Sequence, residues 1–475
     1  MKFFEKATPE SCGISSKNII GFIEAMCKGM DDQETHSFML VRHGKLVAEG
    51  YFAPYDSEVE HTLFSVSKSF ASIAIGFLVE EGKIKTEDYV HTYFPELITD
   101  DINKENLKIK VHDLLSMSFG QKGGAVHEAQ KRNDLSDAML YDFFYREKEL
   151  ECGEKFRYDA FGTYMLAALV RKITGENVVE YLMPRLFDPL EIEKPYYPVD
   201  SIGNAIGYSG MRMRMRDLAK VGHVYLNGGK WGDKQIVPES WVKLATQKHI
   251  GTEHVSTGLD WKEGYCYQFW KGRYNTTRLC GAHGQMCVIM PDYDAIFVIN
   301  SGYDNDKLGY ILESFYDNIM FNMKDEALPE DKENFEKMED IINNLKLTYK
   351  FSEMSPLAKI VSGNTYDVEE TNIYKAVKLD FDEDEVHVTL ISDIKNYEFT
   401  AGFSKPVFGE PQGTRLASLE REDNFKTVAT AAWLSRKELE ITLRLIGCPT
   451  IIKIVADFSL EEDTVKIVPV RSRKK

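Results

Sequence analysis

The chain has 475 residues, of which 43% are hydrophobic, and carries a net charge of −17. That length exceeds what one ordinary core organises and predicts two domains, while the acidity argues against nucleic acid and anionic membrane surfaces as partners. No apolar run reaches the length of a membrane span, and the start, Met1 to Glu10, sets charges on both sides of Phe3 and Phe4, so no signal peptide is expected.

Seven cysteines, at positions 12, 27, 152, 266, 280, 287 and 448, are scattered and free of C-x-x-C spacing. Their pattern fits reduced thiols and predicts a cytoplasmic protein. None of the eleven histidines falls in a metal-ligand motif, so neither a metal nor another cofactor is expected. The basic end, Arg471, Arg473, Lys474 and Lys475, reads as a solvated tail.

In chain order, Ser15 to Met26 reads as an amphipathic helix, and Ser37 to Val41, His43-Gly44 and Leu46 to Tyr51 as a strand hairpin. An extended approach, Glu60 to Phe64, then meets Ser65-Val66-Ser67-Lys68 and the apolar helical run Ala71 to Leu78, stopped at Glu80-Glu81-Gly82. On a helix the i and i+3 side chains share a face, which brings the Lys68 amine beside the Ser65 hydroxyl. The positive end of the helix favours a developing alkoxide and disfavours an adjacent ammonium, the conditions an acyl-transfer serine needs. Ser240 to Lys243, Ser392 to Lys395 and Ser472 to Lys475 also fit S-x-x-K, but only the first copy lies at a strand-to-helix junction. A plain N-cap serine is the structural alternative.

Beyond it, Lys110 to Met117 precedes a glycine-rich loop, Phe119 to Gly124, followed by polar helical sequence through Lys148. Tyr158, in Gly153 to Ala160, stands just before a helix from Phe161 to Thr174 that Gly175 stops. A phenol near an ammonium has its ionisation favoured, so Tyr158 is a candidate proton carrier, with a half-buried structural tyrosine as the alternative. Met215 to Leu226 is a further helix. Extended runs are expected at Gly264 to Trp270, Met286 to Met290 and Ala295 to Asn300. Arg278 to Gln285 opens the middle run, and Gly281 and Gly284 there let backbone approach a ligand closely. A strand edge beside the serine can supply an amide to an oxyanion hole. His283 either faces that site or packs against the strand.

Strands at both ends with helices between them predict an α+β domain over residues 1–325. A charged stretch reads as a linker or helix over 326–350, with Pro329 interrupting it. Residues 351–475 turn to short alternating runs, including Ala376 to Phe381, Glu385 to Ile391, Thr427 to Trp433, Glu438 to Leu445, Thr450 to Val455 and Thr464 to Val468. They predict a small all-β barrel-like domain.

Ser65 with Lys68, Tyr158, and Gly281 to Gln285, in this order, resemble the class C β-lactamase, penicillin-binding-protein and serine-esterase superfamily. Similar stretches run from the hairpin before Ser65 to Pro291, so the resemblance covers roughly residues 10–320. It implies a β-lactamase/transpeptidase-like domain, an antiparallel sheet flanked by helices plus an all-helical region. It also implies Ser65 as nucleophile, Lys68 as helper in its deprotonation and Tyr158 as general base and later acid. The third segment is similar to that of the nylon-oligomer (aminohexanoate) hydrolase branch, where the residue matching Ala282 gives a backbone amide to the oxyanion hole beside the nucleophile's own. By that likeness Ser65 and Ala282 form the hole, and Gly281, His283 and Gly284 lie against substrate. The region after Lys350 resembles barrel-like appendages on some members.

Two departures matter. Ala160 stands where the family's second motif, Y-x-N or Y-x-S, has a polar side chain, and K-T-G is missing from the chain. Without that lysine a substrate carboxylate loses its usual partner, which favours uncharged or differently anchored esters and amides. The expected activity is therefore hydrolysis of a small-molecule ester or amide. A true β-lactamase, a D-alanyl-D-alanine carboxypeptidase or D-aminopeptidase-like peptidase, and an inactive binding module on the same fold stay as alternatives. A Ser-His-Asp hydrolase is disfavoured because G-x-S-x-G is missing.

Overall fold

The structure is a computed structural model that describes residues 4–28, 33–124, 138–255, 258–369, 374–393, 396–410, 425–458 and 464–470. Lys395 and the basic end from Arg471 onward lie outside the described residues. The chain forms two compact units, Met1–Phe52 with Asp56–Leu345, and Ala53–Tyr55 with Lys346–Lys475.

The first unit is built on a seven-stranded sheet. Its order is Glu5–Lys6, Lys45–Tyr51, Glu34–Arg42, Ala295–Gly302, Gln285–Met290, Thr277–Gly281 and Trp270–Lys271. Every pairing is antiparallel except the first. His43 and Gly44, both at positive φ (52° and 68°), make the tight turn that the twist of a two-residue hairpin requires. The strand Ala295–Gly302 is buried at every position rather than at alternate ones, because both faces of the sheet are covered. On one face Phe22 of helix Ser16–Lys28 and Phe315 of helix Leu308–Asn318 pack on Phe297. On the other, helix Met215–Leu226 approaches so closely that a Cβ on Gly222 would overlap Cys287 Sγ.

A helical region lies around helix Ser67–Glu80, in which every residue from Ser67 to Leu78 is buried. A helix apolar on all sides belongs at the centre of a core. Helix Ala160–Thr174 and the short helix Val178–Leu182 pack on it, and the short helix Val111–Leu115 packs on Ala160–Thr174. Trp241 lies against Gly76, where a Cβ would overlap the indole.

Two sequence expectations need correction. Gly264 to Trp270 is not one strand: Gln268 takes φ 63°, Tyr265 makes only isolated bridges to Ile250 and Trp270, and the strand proper is Trp270–Lys271. Conversely Thr277–Gly281 is a strand, so Ala282 to Gly284 form the turn between two antiparallel strands, with Gly281 opposite Gln285. Within the charged stretch, helix Lys332–Asn343 is capped by Asp331, whose side chain accepts from Asn334 N at 3.1 Å. This helix packs on Ser16–Lys28 and belongs to the first unit.

The second unit is a nine-stranded sheet, ordered Tyr397–Gly402, Glu385–Ile391, Ala376–Phe381, Thr365–Glu369, Thr464–Val470, Ile451–Asp457, Glu438–Leu445, Thr427–Trp433 and Val407–Gly409. Gly402 also pairs with Thr430, which curls the sheet back on itself around Leu379, Val388, Leu390, Ile441 and Leu443. The α+β architecture and the curled all-β sheet after it are those the sequence predicts. Among the described residues no helix is long and apolar enough to cross a membrane, and Cys12, Cys27, Cys152, Cys266, Cys280 and Cys287 are free thiols.

Candidate active site

Ser65 lies in a single turn of 3-10 helix, Phe64–Val66, that leads into helix Ser67–Glu80. Lys68, one turn on and 3% exposed, directs Nζ to Ser65 Oγ at 2.9 Å. The same nitrogen donates to the carbonyl of Tyr208 at 2.7 Å, which fixes the amine from the side opposite its own helix. With Nζ donating to Oγ, the hydroxyl proton of Ser65 is left to point elsewhere. Tyr158 is the phenol at hand, its ring centre 5.0 Å from Lys68 Nζ.

The loop that carries Tyr208 is stitched to the serine helix. Met211 N donates to Ser67 Oγ at 3.1 Å, Leu63 N to Met211 O at 2.8 Å, and Tyr197 Oη to Ser67 O at 3.1 Å. Gly207 and Gly210, at φ 76° and 91°, bracket Tyr208 and let the loop turn under the helix. Gln268 joins three more elements. Its Nε2 donates to Leu114 O and Leu115 O at 3.0 Å each, its Oε1 accepts from Thr163, and its carbonyl accepts from Ser69 Oγ at 2.8 Å.

Tyr158 precedes helix Ala160–Thr174, which is capped by Asp159 through Phe161 N at 2.8 Å. The phenol ring is 40% exposed and stacks on Trp270, with centroids 5.8 Å apart and planes at 19°. Phe156 and Tyr265 complete this aromatic wall. A cavity of about 390 Å³ opens along it, lined by Leu150, Lys155, Phe156, Arg157, Tyr158, His254 and Val255. Asp159 is 7% exposed, and its Oδ2 has no hydrogen-bond partner. Burial pushes its pKa up, against the pull of the Phe161 amide and the charges of Arg146, Lys68 and Arg157. Ala160 contributes only a methyl group where a polar side chain was possible.

The turn between the last two strands brings the third element in. A Cβ on Gly281 would overlap Leu63 O and stand 3.2 Å from Ser65 N, so this hairpin lies directly on the backbone of the serine turn. Ser65 and Ala282 keep partial exposure, while Val66, Gly281 and His283 around them are buried. His283 Nδ1 faces Tyr303 O at 3.2 Å, and its ring meets Phe64 edge-on. Gly284, at φ 85°, has Ser301 Oγ where a Cβ would be. Behind Ser65, His36 Nδ1 and His61 Nε2 approach to 2.9 Å, and burial, with His36 beside it, holds the His61 pKa well below the usual histidine range. Among the described residues no group of histidine, cysteine or carboxylate side chains could hold a metal ion.

Ser65, Lys68, Tyr158, Gly281 and Ala282 thus converge, whereas Tyr208, Met211, Gln268 and Trp270 escaped the sequence reading. The pair of glycines around Tyr208 was the one local signal for that loop.

A model of the family described as Beta-lactamase matches residues 22–309. Over 297 residues the chain is 27% identical to a 6-aminohexanoate-dimer hydrolase of Paenarthrobacter ureafaciens, which spans 57% of this chain and 73% of that one. The octameric penicillin-binding protein homologue from Pyrococcus abyssi superposes with a TM-score of 0.50 at 16% identity, over 95% of this chain and 99% of that one. EstCE1, a hydrolase with promiscuous acyltransferase activity, gives a TM-score of 0.51 at 16% identity, over 63% and 99%. At such identities these two structures bear on the fold alone.

Proposed function

This chain belongs to the beta-lactamase family, and we propose that it is a serine hydrolase that cleaves the ester or amide bond of a small molecule through an acyl-enzyme on Ser65. The observation that carries the reading is the 2.9 Å contact of Lys68 Nζ with Ser65 Oγ, with Tyr208 O holding the amine and Tyr158 beside it. Lys68 Nζ favours the ionised form of Tyr158, and Ser65 Oγ attacks the carbonyl carbon as its proton passes to that phenolate oxygen. The carbonyl oxygen takes the negative charge against the amides of Ser65 and Ala282. The bond to the leaving group then breaks, and Tyr158 returns the proton to the departing oxygen or nitrogen. The Tyr158 phenolate so formed takes a proton from water as the water oxygen attacks the acyl carbon, and when the bond to Ser65 Oγ breaks that proton passes to Oγ, releasing the acid and restoring Ser65.

The cavity beside Tyr158, about 390 Å³, is of a size for a small molecule, and among the described residues that line it there is no carboxylate. The scattered cysteines, with Cys12, Cys27, Cys152, Cys266, Cys280 and Cys287 as free thiols, support a reducing compartment, the cytoplasm, as the place of work. Without the K-T-G lysine, and with Ala160 in the second motif, a β-lactam loses two polar anchors, each contributing about 1.5–3 kcal/mol.

A fluorescent phosphonate and a set of chromogenic substrates test the proposal. The phosphonate should label the protein and lose its target in Ser65→Ala, and p-nitrophenyl butyrate should be hydrolysed. Absence of labelling in the wild type would return the chain to the binding-module alternative. Nitrocefin should be poorer than the butyrate ester by several orders of magnitude in kcat/KM; equal values would make it a β-lactamase.

A further inference from the structure

The amides of Ser65 and Ala282 come from separate elements, and each stands next to a residue in the left-handed region. Phe64, immediately before Ser65, has φ 48°, and His283, immediately after Ala282, has φ 63°. Bulky side chains adopt this conformation only where surrounding contacts impose it. The two strained residues supply such a contact to each other: their rings meet edge to face, with centroids 5.2 Å apart and planes at 70°.

His283 is in turn held from several directions. Its N–H donates to Asn305 Oδ1 at 3.0 Å, its carbonyl accepts from Ser301 Oγ at 2.8 Å and Tyr303 N at 3.1 Å, and its Nδ1 faces Tyr303 O. The serine turn and the hairpin therefore touch twice. One contact is backbone on backbone, at Gly281 against Leu63 and Ser65; the other is ring on ring, at Phe64 against His283. Along the chain, Ala282 stands between Gly281 and His283, and Ser65 follows Phe64 directly.

We propose that Phe64 and His283 form a positioning clamp that fixes the separation and aim of the Ser65 and Ala282 amides. The clamp rests on the reading that these two amides hold the oxyanion. Phe64 ends the peptide plane that carries the Ser65 N–H, so its dihedrals set the direction of that donor. Neither ring touches the reacting atoms; both act through the backbone beside them. This use of the His283 ring replaces a direct substrate contact.

The test compares Phe64→Leu, His283→Asn, their double variant and Phe64→Tyr. Leucine keeps apolar bulk but loses the ring edge, and asparagine tolerates positive φ but loses the imidazole. Each is assayed on p-nitrophenyl butyrate and on its thionoester, whose sulfur accepts hydrogen bonds only weakly and so gains little from the two amides. Either single variant should lose about 10–100-fold in kcat on the oxygen ester, the range for a misaimed oxyanion donor, with KM within about 3-fold. The oxygen-to-sulfur rate ratio should fall by the same factor. The double variant should be no slower than the slower single one, because either change opens the clamp, and Phe64→Tyr should stay within about 3-fold of wild type.

An unchanged oxygen-to-sulfur ratio in both single variants would overturn the clamp, as would a double variant whose loss is the product of the two. If Phe64→Leu fails to fold, His283→Asn carries the same comparison. A wild type that neither turns over ester nor reacts with phosphonate would sink the hydrolase reading and the clamp with it. A reactive wild type with unaffected variants sinks the clamp alone.

Discussion

Ser65 and Tyr158 flank one lysine amine, yet they are anchored in different ways. Behind Ser65 stands a helix buried from Ser67 to Leu78, tied by hydrogen bonds to the Tyr208 loop and to Gln268. Tyr158 is 40% exposed and leans on Trp270 along an open cavity. Ser65 is placed by the core of the molecule, and Tyr158 by an aromatic wall beside an open cavity. Changes on the first side should therefore act on kcat with KM preserved, whereas changes on the second should reach KM as well.

The strongest way to break this contrast is Ser65→Ala. Ester turnover should fall by about 10⁴–10⁶-fold while the melting temperature moves by no more than about 2 °C, since the hydroxyl is half-exposed and supports no packing. Calorimetry beside a turnover assay checks both. Tyr158→Phe comes next. It keeps the stack on Trp270 and deletes only the phenol oxygen, so kcat should drop about 10²–10⁴-fold with a modest change in KM. An unchanged kcat would leave Tyr158 a structural ring.

Trp270→Leu should cost less, about 10-fold in kcat/KM, and most of it in KM, because the indole backs Tyr158 and borders the cavity wall. A loss confined to kcat would erase the distinction between the two sides.

The smallest effects are those of pH, and the two sides should respond in opposite senses. His61, behind Ser65, has its pKa lowered by burial, so it stays neutral in the folded chain. The unfolded chain binds that proton near pH 6.5, so the stability His61 contributes is present above that value and is lost as pH falls below it. Asp159, beside Tyr158, has its pKa raised by burial. Its contribution is present below the ordinary carboxylate range and is lost as pH rises through the folded value. Melting temperatures from pH 7 to pH 4 should fall less steeply in His61→Gln than in wild type. Asp159→Asn, which keeps a capping oxygen, should gain on wild type as pH rises. Parallel curves for either variant would remove that group from the account.

The parts of the site readable in the sequence are those whose partners are close along the chain. Ser65 and Lys68 stand one helical turn apart, Gly82 and Gly175 stop their helices, and Met215–Leu226 begins and ends where its apolar period does. Tyr208 was not readable as the Lys68 partner, because the bond joins residues 140 apart and uses a backbone carbonyl, which any residue could supply. Gln268 escaped for a related reason. Its left-handed φ interrupts what reads as a strand, and its amide serves carbonyls of Leu114 and Leu115 that no local pattern announces.

The strand Thr277–Gly281 was hidden by Arg278, a charge in a place that reads as a break in the apolar run. The guanidinium is fully buried over the Trp261 ring, 4.6 Å away, and donates to Asp260 O at 2.7 Å. In the second unit, Tyr397–Gly402 was missed because its burial does not alternate, whereas Ala376–Phe381 and Glu385–Ile391 bury alternate residues and were legible.

Helix Ser67–Glu80 has a consequence for the history of each molecule as well as for its chemistry. Because the amine that contacts Ser65 sits on an element with no solvent-facing side from Ser67 to Leu78, the Ser65–Lys68 pair cannot assemble before the helical region closes around it. On the proposed function, a newly made or partly unfolded chain therefore carries an ordinary, unreactive serine. During refolding, the gain of phosphonate labelling should then mark the closing of that region, and incomplete molecules should present no stray nucleophile.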